Sequence, residues 1–168
     1  MEISLWLDSY DDIFSDFDSR NYQKRRISED FLDELKASIK YRNDKQEALV
    51  LLLPKELRKA EIEREIISGL KEQFHSRYDT YANKMRKISR KGYALVIAGI
   101  VTMLVDSYIS FKGYRSYPMT ILHVLLEPAG WFLIWNGLDS LLYDYRTVAK
   151  DVSFYNAARH MNVHFRDF

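Results

Sequence analysis

Residues 92–111, GYALVIAGIVTMLVDSYISF, carry one carboxylate and no Lys or Arg in twenty positions. At 1.5 Å rise per residue such a run makes roughly 30 Å of helix, the thickness of a bilayer's hydrocarbon core. A second run, 119–142 (MTILHVLLEPAGWFLIWNGLDSLL), is nearly as apolar and follows after a short link, 112–118 (KGYRSYP). The pair predicts a two-helix transmembrane hairpin, with spans at 92–111 and 119–143 around an external link at 112–118. The remainder of the 168 residues supports one modest extramembrane domain.

Outward from the hairpin, Lys84, Arg86, Lys87, Arg90 and Lys91 put five cations in the juxtamembrane segment 84–91, whereas the link holds only two. By the positive-inside rule this places the domain at 1–83 in the cytoplasm, and two spans return 144–168 to the same side. The N-terminus, MEISLWLDSYDD, is acidic and lacks the basic and apolar regions of a cleavable signal. Tyr114, Tyr117, Trp131, Trp135 and Tyr143 are candidate interfacial or interhelical aromatics.

The domain itself reads as strand, helix, strand, helix. Ile3, Leu5 and Leu7 alternate along one strand, and Ala48–Leu53 (ALVLLL) reads as a buried strand stopped by Pro54. Between them Ser28, Glu29 and Asp30 mark a helix start, with Phe31, Leu32, Leu35 and Ile39 as its apolar stripe. A second helix is expected from about Pro54–Glu56, carrying Ile62, Ile66, Leu70 and Phe74 at four-residue steps. Two strands joined by a helical crossover pair in parallel but bury little, and Asn162–Phe168, where Val163 and Phe165 alternate with polar residues, is a candidate third strand. The fold class is therefore an α+β membrane protein: a hairpin of spans and a small cytoplasmic α/β domain.

No proline, and no glycine after Gly69, interrupts the chain between Phe74 and Gly92, so the second helix is expected to continue into the first span. Phe74, Tyr78, Tyr81, Met85, Ile88, Gly92, Leu95, Gly99, Thr102 and Asp106 lie on one line of this helix at alternating steps of four and three. That 3.5-residue repeat marks a left-handed seam, suited to self-association or to packing within the chain.

Carboxylates in a membrane normally face protein or water. Asp106 and Glu127 count out to roughly 9–14 Å inside the outer boundary, and Asp139 about 18 Å deeper. Repeated around a homo-oligomer, taken as a tetramer, either of the first two makes a ring that attracts cations. Gly99, Thr102, Asp106 and Ser110 supply a small, polar face for an ion path, with Glu127 opposite and Pro128 beside it as a candidate gate. The competing reading makes the same groups interhelical glue, Asp106 bonding Thr102 or the second span and Glu127 bonding His123.

Other chemistry is weakly supported. With 25 Lys plus Arg against 24 Asp plus Glu, the chain is not a general nucleic-acid binder, and without cysteine it has no disulfide or thiolate site. The acidic loop Asp8–Arg26 lacks the glycine and glutamate of a calcium loop and reads as a surface loop pinned by its aromatics and paired with Lys24, Arg25 and Arg26. His160 and His164 could share a metal only if helical. No phosphate loop, dinucleotide fingerprint, zinc-protease signature or nucleophile elbow occurs, so neither a cofactor nor an enzyme is expected.

The stretch EPAGWFLIWNGLDSLLYDY at 127–145, following a basic-flanked first span, resembles small bacterial two-span proteins. The architecture is similar to that of membrane effectors of phage-defence operons, in particular the Hailong-type channel effectors. The resemblance implies an oligomeric inner-membrane pore, toxic when open and restrained by a nucleotide or short nucleic acid from a partner nucleotidyltransferase. Lys84, Arg86, Lys87, Arg90 and Lys91 are then candidate regulator-binding residues, beside their sufficient role in fixing topology. The alternative is a membrane-anchored adaptor whose cytoplasmic domain docks a soluble partner.

Overall fold

The structure, a computed structural model, describes residues 2–40, 48–113 and 116–168. It is mostly helical, with one small sheet and two helices long and apolar enough to cross a membrane. The elements are β1 (Glu2–Trp6), a 3-10 turn (Tyr10–Ile13), α1 (Glu29–Lys40), β2 (Ala48–Leu53), a second 3-10 turn (Lys55–Leu57), α2 (Ala60–Lys112), α3 (Tyr117–Asp139), a π turn (Ser140–Asp144), α4 (Tyr145–His160) and β3 (Asn162–Asp167). They form two compact units, one of Met1–Thr80 with Val152–Phe168, the other Tyr81–Asp151.

In the first unit the sheet has the order β1-β2-β3 and is parallel throughout. The register brings Ile3, Leu49 and Val163 abreast, then Leu5, Leu51 and Phe165, which puts the apolar alternation of all three strands on one face. The candidate C-terminal strand thus joins the sheet. It supplies the third strand that a stable layer needs, with β2 at the centre. The core includes Ile3, Leu49, Leu51, Leu53 and Val163 from the sheet, Leu32 and Leu35 of α1, Ile66, Leu70 and Phe74 of α2, Tyr155 and Ala158 of α4, and Ile13 and Ile27 from the loop between β1 and α1.

Helix α1 starts where its cap is. Ser28 Oγ accepts from the Phe31 backbone N–H at 3.1 Å, so an otherwise orphan donor is satisfied. The helix expected from Pro54 begins later. Pro54 leads into a 3-10 turn, Lys55–Leu57, and α2 starts at Ala60. The delay lets Arg58 turn back onto Glu63 with two bonds of 2.9 and 3.1 Å and reach Asp167 of β3 at 3.4 Å. Tyr10 completes this buried network. Its hydroxyl donates to Glu63 Oε1 at 3.3 Å and accepts from the Lys59 N–H at 2.9 Å, and burial, with the Glu63 charge adding to it, raises its pKa.

The loop at 8–26 is held from both ends, as its reading suggests. Ser9 and Asp12 form a capping box around the 3-10 turn. Arg25 pairs with Asp11, while Asp18 receives Arg20 and the Arg26 backbone N–H. Gln73 of α2 clasps the loop, donating to the Arg25 carbonyl at 2.7 Å and accepting from the Ile27 N–H at 3.3 Å. One turn away Gly69 makes this approach possible, since a Cβ there would collide with the Gln23 carbonyl oxygen.

The helix that begins at Ala60 runs without interruption to Lys112, as the absence of breakers predicts. The second apolar run forms α3 from Tyr117 to Asp139, a helix that continues through Pro128. Its pattern changes at the π turn, which begins thirteen residues beyond Glu127 and where an extra residue per turn rotates the following side chains by about 100°.

Candidate functional site

The two apolar helices meet through glycine. A Cβ on Gly92 would come within 3.1 Å of the Gly137 carbonyl, and one on Gly99 within 2.8 Å of the Gly130 carbonyl. From the other side, a Cβ on Gly137 would lie 2.7 Å from the Gly92 carbonyl, so neither helix has space for a side chain at these points. The next pair in the series is Asp106 with His123, whose Nδ1 is 2.6 Å from Oδ1 of the carboxylate. Each pair advances seven residues along α2 and retreats seven along α3, the step of two antiparallel helices on a left-handed seam.

The seam found in the sequence is therefore filled within the chain at Gly92, Gly99 and Asp106. Small residues let the backbones approach closely, which is how helices associate where the solvent is itself apolar. Upstream on the same line, Phe74 is in the core of the first unit and Tyr78 lies under Arg159 at 3.7 Å from its ring centroid.

Outside the last glycine pair the hairpin opens into a polar cleft of about 530 Å³, lined by Met103, Asp106, Ser107, Ser110, Phe111, His123 and Glu127. It brings together Asp106, Ser110 and Glu127 of the residues that the sequence nominates for an ion path. Asp106 is buried, at 8% exposure, although it belongs to the apolar run 92–111, toward its C-terminal end. Pairing with His123 answers the cost of a lone carboxylate there. Glu127 is exposed at the cleft's margin, beside Pro128.

The remaining candidates lie elsewhere. Gly99 is buried against Ile134 and Gly130, and Thr102 is half-buried with its hydroxyl donating to the Ala98 carbonyl at 2.8 Å. Of the glue reading, the bond from Asp106 to the second span is present, through His123 rather than to Thr102, whereas His123 turns to Asp106 and not to Glu127. That partner was within reach of counting: Asp106 and His123 stand at similar distances from the two ends of the link. Tyr114 lies outside the described residues, Trp131 and Trp135 stack at 6.5 Å, and Tyr117 and Tyr143 are exposed.

Lys84, Arg86, Lys87, Arg90 and Lys91 are all exposed, and they do not act alike. Arg86 and Arg90 line a groove of about 360 Å³ with Met85, Ser89, Tyr93 and Tyr145, whereas Lys84, Lys87 and Lys91 do not. His160 and His164 are not on one helix. His160 ends α4 with Nδ1 on the Asn156 carbonyl, His164 is in β3, and no group of three metal-ligating side chains occurs among the described residues. No family model, no curated protein and no solved structure matches the chain.

Proposed function

We propose that the chain is a subunit of a homo-oligomeric ion channel of the bacterial inner membrane, with α2 and α3 crossing the bilayer and both termini cytoplasmic. The observation that carries it is the exposed apolar surface of the hairpin. Only 11% of the residues in the most apolar window of either helix are buried, and Ile97, Ile100, Val101, Leu104, Val105, Val124, Leu125 and Phe132 all face outward. A water-soluble protein does not leave so large an apolar surface bare, and lipid together with further copies of the chain would cover it.

The polar cleft supports ion passage. Asp106, Ser107, Ser110, His123 and Glu127 concentrate polar groups in one place among apolar neighbours, and the carboxylates select for cations. Gly99 acts in this reading as a helix contact, and the path is assigned to Asp106, Ser110 and Glu127, with four copies enclosing it. Pro128 beside Glu127 is the place for a gate. The wider role, a toxic effector of phage defence restrained by a nucleotide or short nucleic acid from a nucleotidyltransferase, rests on the resemblance of the sequence. The five cations at 84–91 supply its regulatory charge. Induced expression with a membrane-potential dye tests the channel: wild type should depolarise cells more than Glu127→Gln at equal membrane abundance. Equal depolarisation by the two, or none by either, counts against it.

One observation favours the adaptor as a second reading. Phe17 is 97% exposed on the acidic loop, between Asp16 and Asp18, where an aromatic has no contact of its own to make. An adaptor keeps partner binding when Asp106 and Glu127 are neutralised and loses it with Phe17→Ser.

A further inference from the structure

Arg86, Ser89, Arg90 and Tyr93 stand at i, i+3, i+4 and i+7 of α2, so they share one face. Tyr145, the first residue of α4, closes the groove opposite them, and Met85 lies at its side. Two guanidinium groups one turn apart repel each other, and Asp144, which precedes Tyr145, makes no ion pair with either. Among the described residues neither has an ion-pair or hydrogen-bond partner, and no acidic residue occurs in the sequence between Asp79 and Asp106. The groove is therefore bordered by two arginines, a serine and two tyrosines, all carrying donor groups, over a chiefly apolar lining and with no anion among its lining residues.

This is the donor set of a tetrahedral oxyanion. Arginine forks match phosphate oxygens in pairs, hydroxyls fill the remaining directions, and the ring faces of Tyr93 and Tyr145 suit the apolar or aromatic group attached to the phosphate. The groove also lies where the apolar run begins, at Gly92, the level at which tyrosine and headgroup phosphate meet if α2 crosses a bilayer. We propose that the groove of Met85, Arg86, Ser89, Arg90, Tyr93 and Tyr145 is a binding site for a phosphate ester, supplied by an anionic phospholipid headgroup or by a free phosphate compound. The lipid source rests on the membrane reading above; the site itself does not.

The test uses the full chain in detergent micelles, with phosphatidic acid against phosphatidylcholine followed by native mass spectrometry, and inorganic phosphate and ADP followed by calorimetry. Arg86→Gln with Arg90→Gln should weaken binding by about tenfold or more, and Lys84→Gln with Lys91→Gln, an equal loss of charge outside the groove, by less than about threefold. Tyr145→Phe, which deletes one donor and leaves the helix intact, should give a smaller loss in the same direction. Selective retention of phosphatidic acid with no response to phosphate or ADP identifies the lipid source, and ADP binding with no preference between lipids identifies the free one. An equal loss for the lysine and arginine pairs, or no phosphate-bearing probe bound by wild type, overturns the site. Should the chain, diluted from micelles onto phosphatidic acid and phosphatidylcholine vesicles and centrifuged, fail to partition into them, the membrane reading falls, and the calorimetry still decides the groove.

Discussion

The two units of this chain bury their apolar residues in opposite ways. In the first, Ile13, Leu32, Leu35, Leu49, Leu51, Leu53, Ile66 and Leu70 are 0% exposed, and branched side chains fill the interior. In the second, helices of greater apolar content touch through Gly92, Gly99, Gly130 and Gly137 and leave Leu104 65% and Phe132 67% exposed. The first unit is held by removing side chains from water, the second by backbone proximity and one polar pair, with its large side chains left exposed. Apolar content alone does not say where a core is; what occupies the contact does.

That contrast can be broken most sharply by truncation. Leu51→Ala should cost about 2–5 kcal/mol in chemical unfolding of the full chain in micelles, whereas Leu104→Ala should stay within about 0.5 kcal/mol of wild type. Similar losses at both sites would remove the distinction. Gly99→Ala sharpens it through its sign. Alanine ordinarily favours a helix over glycine by about 0.5–1 kcal/mol, but here its Cβ meets Ile134 Cγ1 at 2.6 Å, and a loss of about 1–3 kcal/mol is expected. Thermal unfolding followed at Trp131 and Trp135, in a Trp6→Phe background, reads it.

Within the first unit Tyr10→Phe should cost about 1 kcal/mol, because the Lys59 N–H loses its acceptor and Glu63 a donor. The smallest effect is one of pH. The Arg20 side chain, helped by the Arg26 backbone N–H, holds the Asp18 carboxyl well below its ordinary pKa of 3.8. A lowered folded-state pKa stabilises the fold fully above 3.8 and loses that contribution as pH falls toward the folded value. Asp18→Asn should therefore lower the unfolding midpoint at neutral pH, and the difference from wild type should shrink on acidification below 3.8. A gap that stays constant across that range speaks against the pairing.

Much of this was legible in the sequence because the signals were local. Ser28 with Glu29 and Asp30 marked a helix start, Val163 and Phe165 marked the third strand, and the lack of breakers from Gly69 to Gly92 marked a continuous helix. What escaped depended on partners distant in sequence. The seam through Gly92, Gly99 and Asp106 was visible as a repeat, but its occupant was not, because the matching repeat of Gly130 and Gly137 ends in His123 rather than in another small residue. The groove at Arg86 and Arg90 was hidden in the same way: five cations in a row look alike until Tyr145 selects two of them. The late start of α2 turned on Arg58 finding both Glu63 and Asp167, a contact of β3 that no local rule contains.

The central claim is that this hairpin carries ions past its carboxylates, and reconstitution measures that directly. Purified protein is placed in liposomes with insertion verified, and cation and anion flux are recorded for wild type beside Asp106→Asn and Glu127→Gln. The account predicts cation-selective flux in wild type and a change in its size or selectivity in each variant. Absence of flux in every tested state, or flux identical in all three proteins, would contradict it.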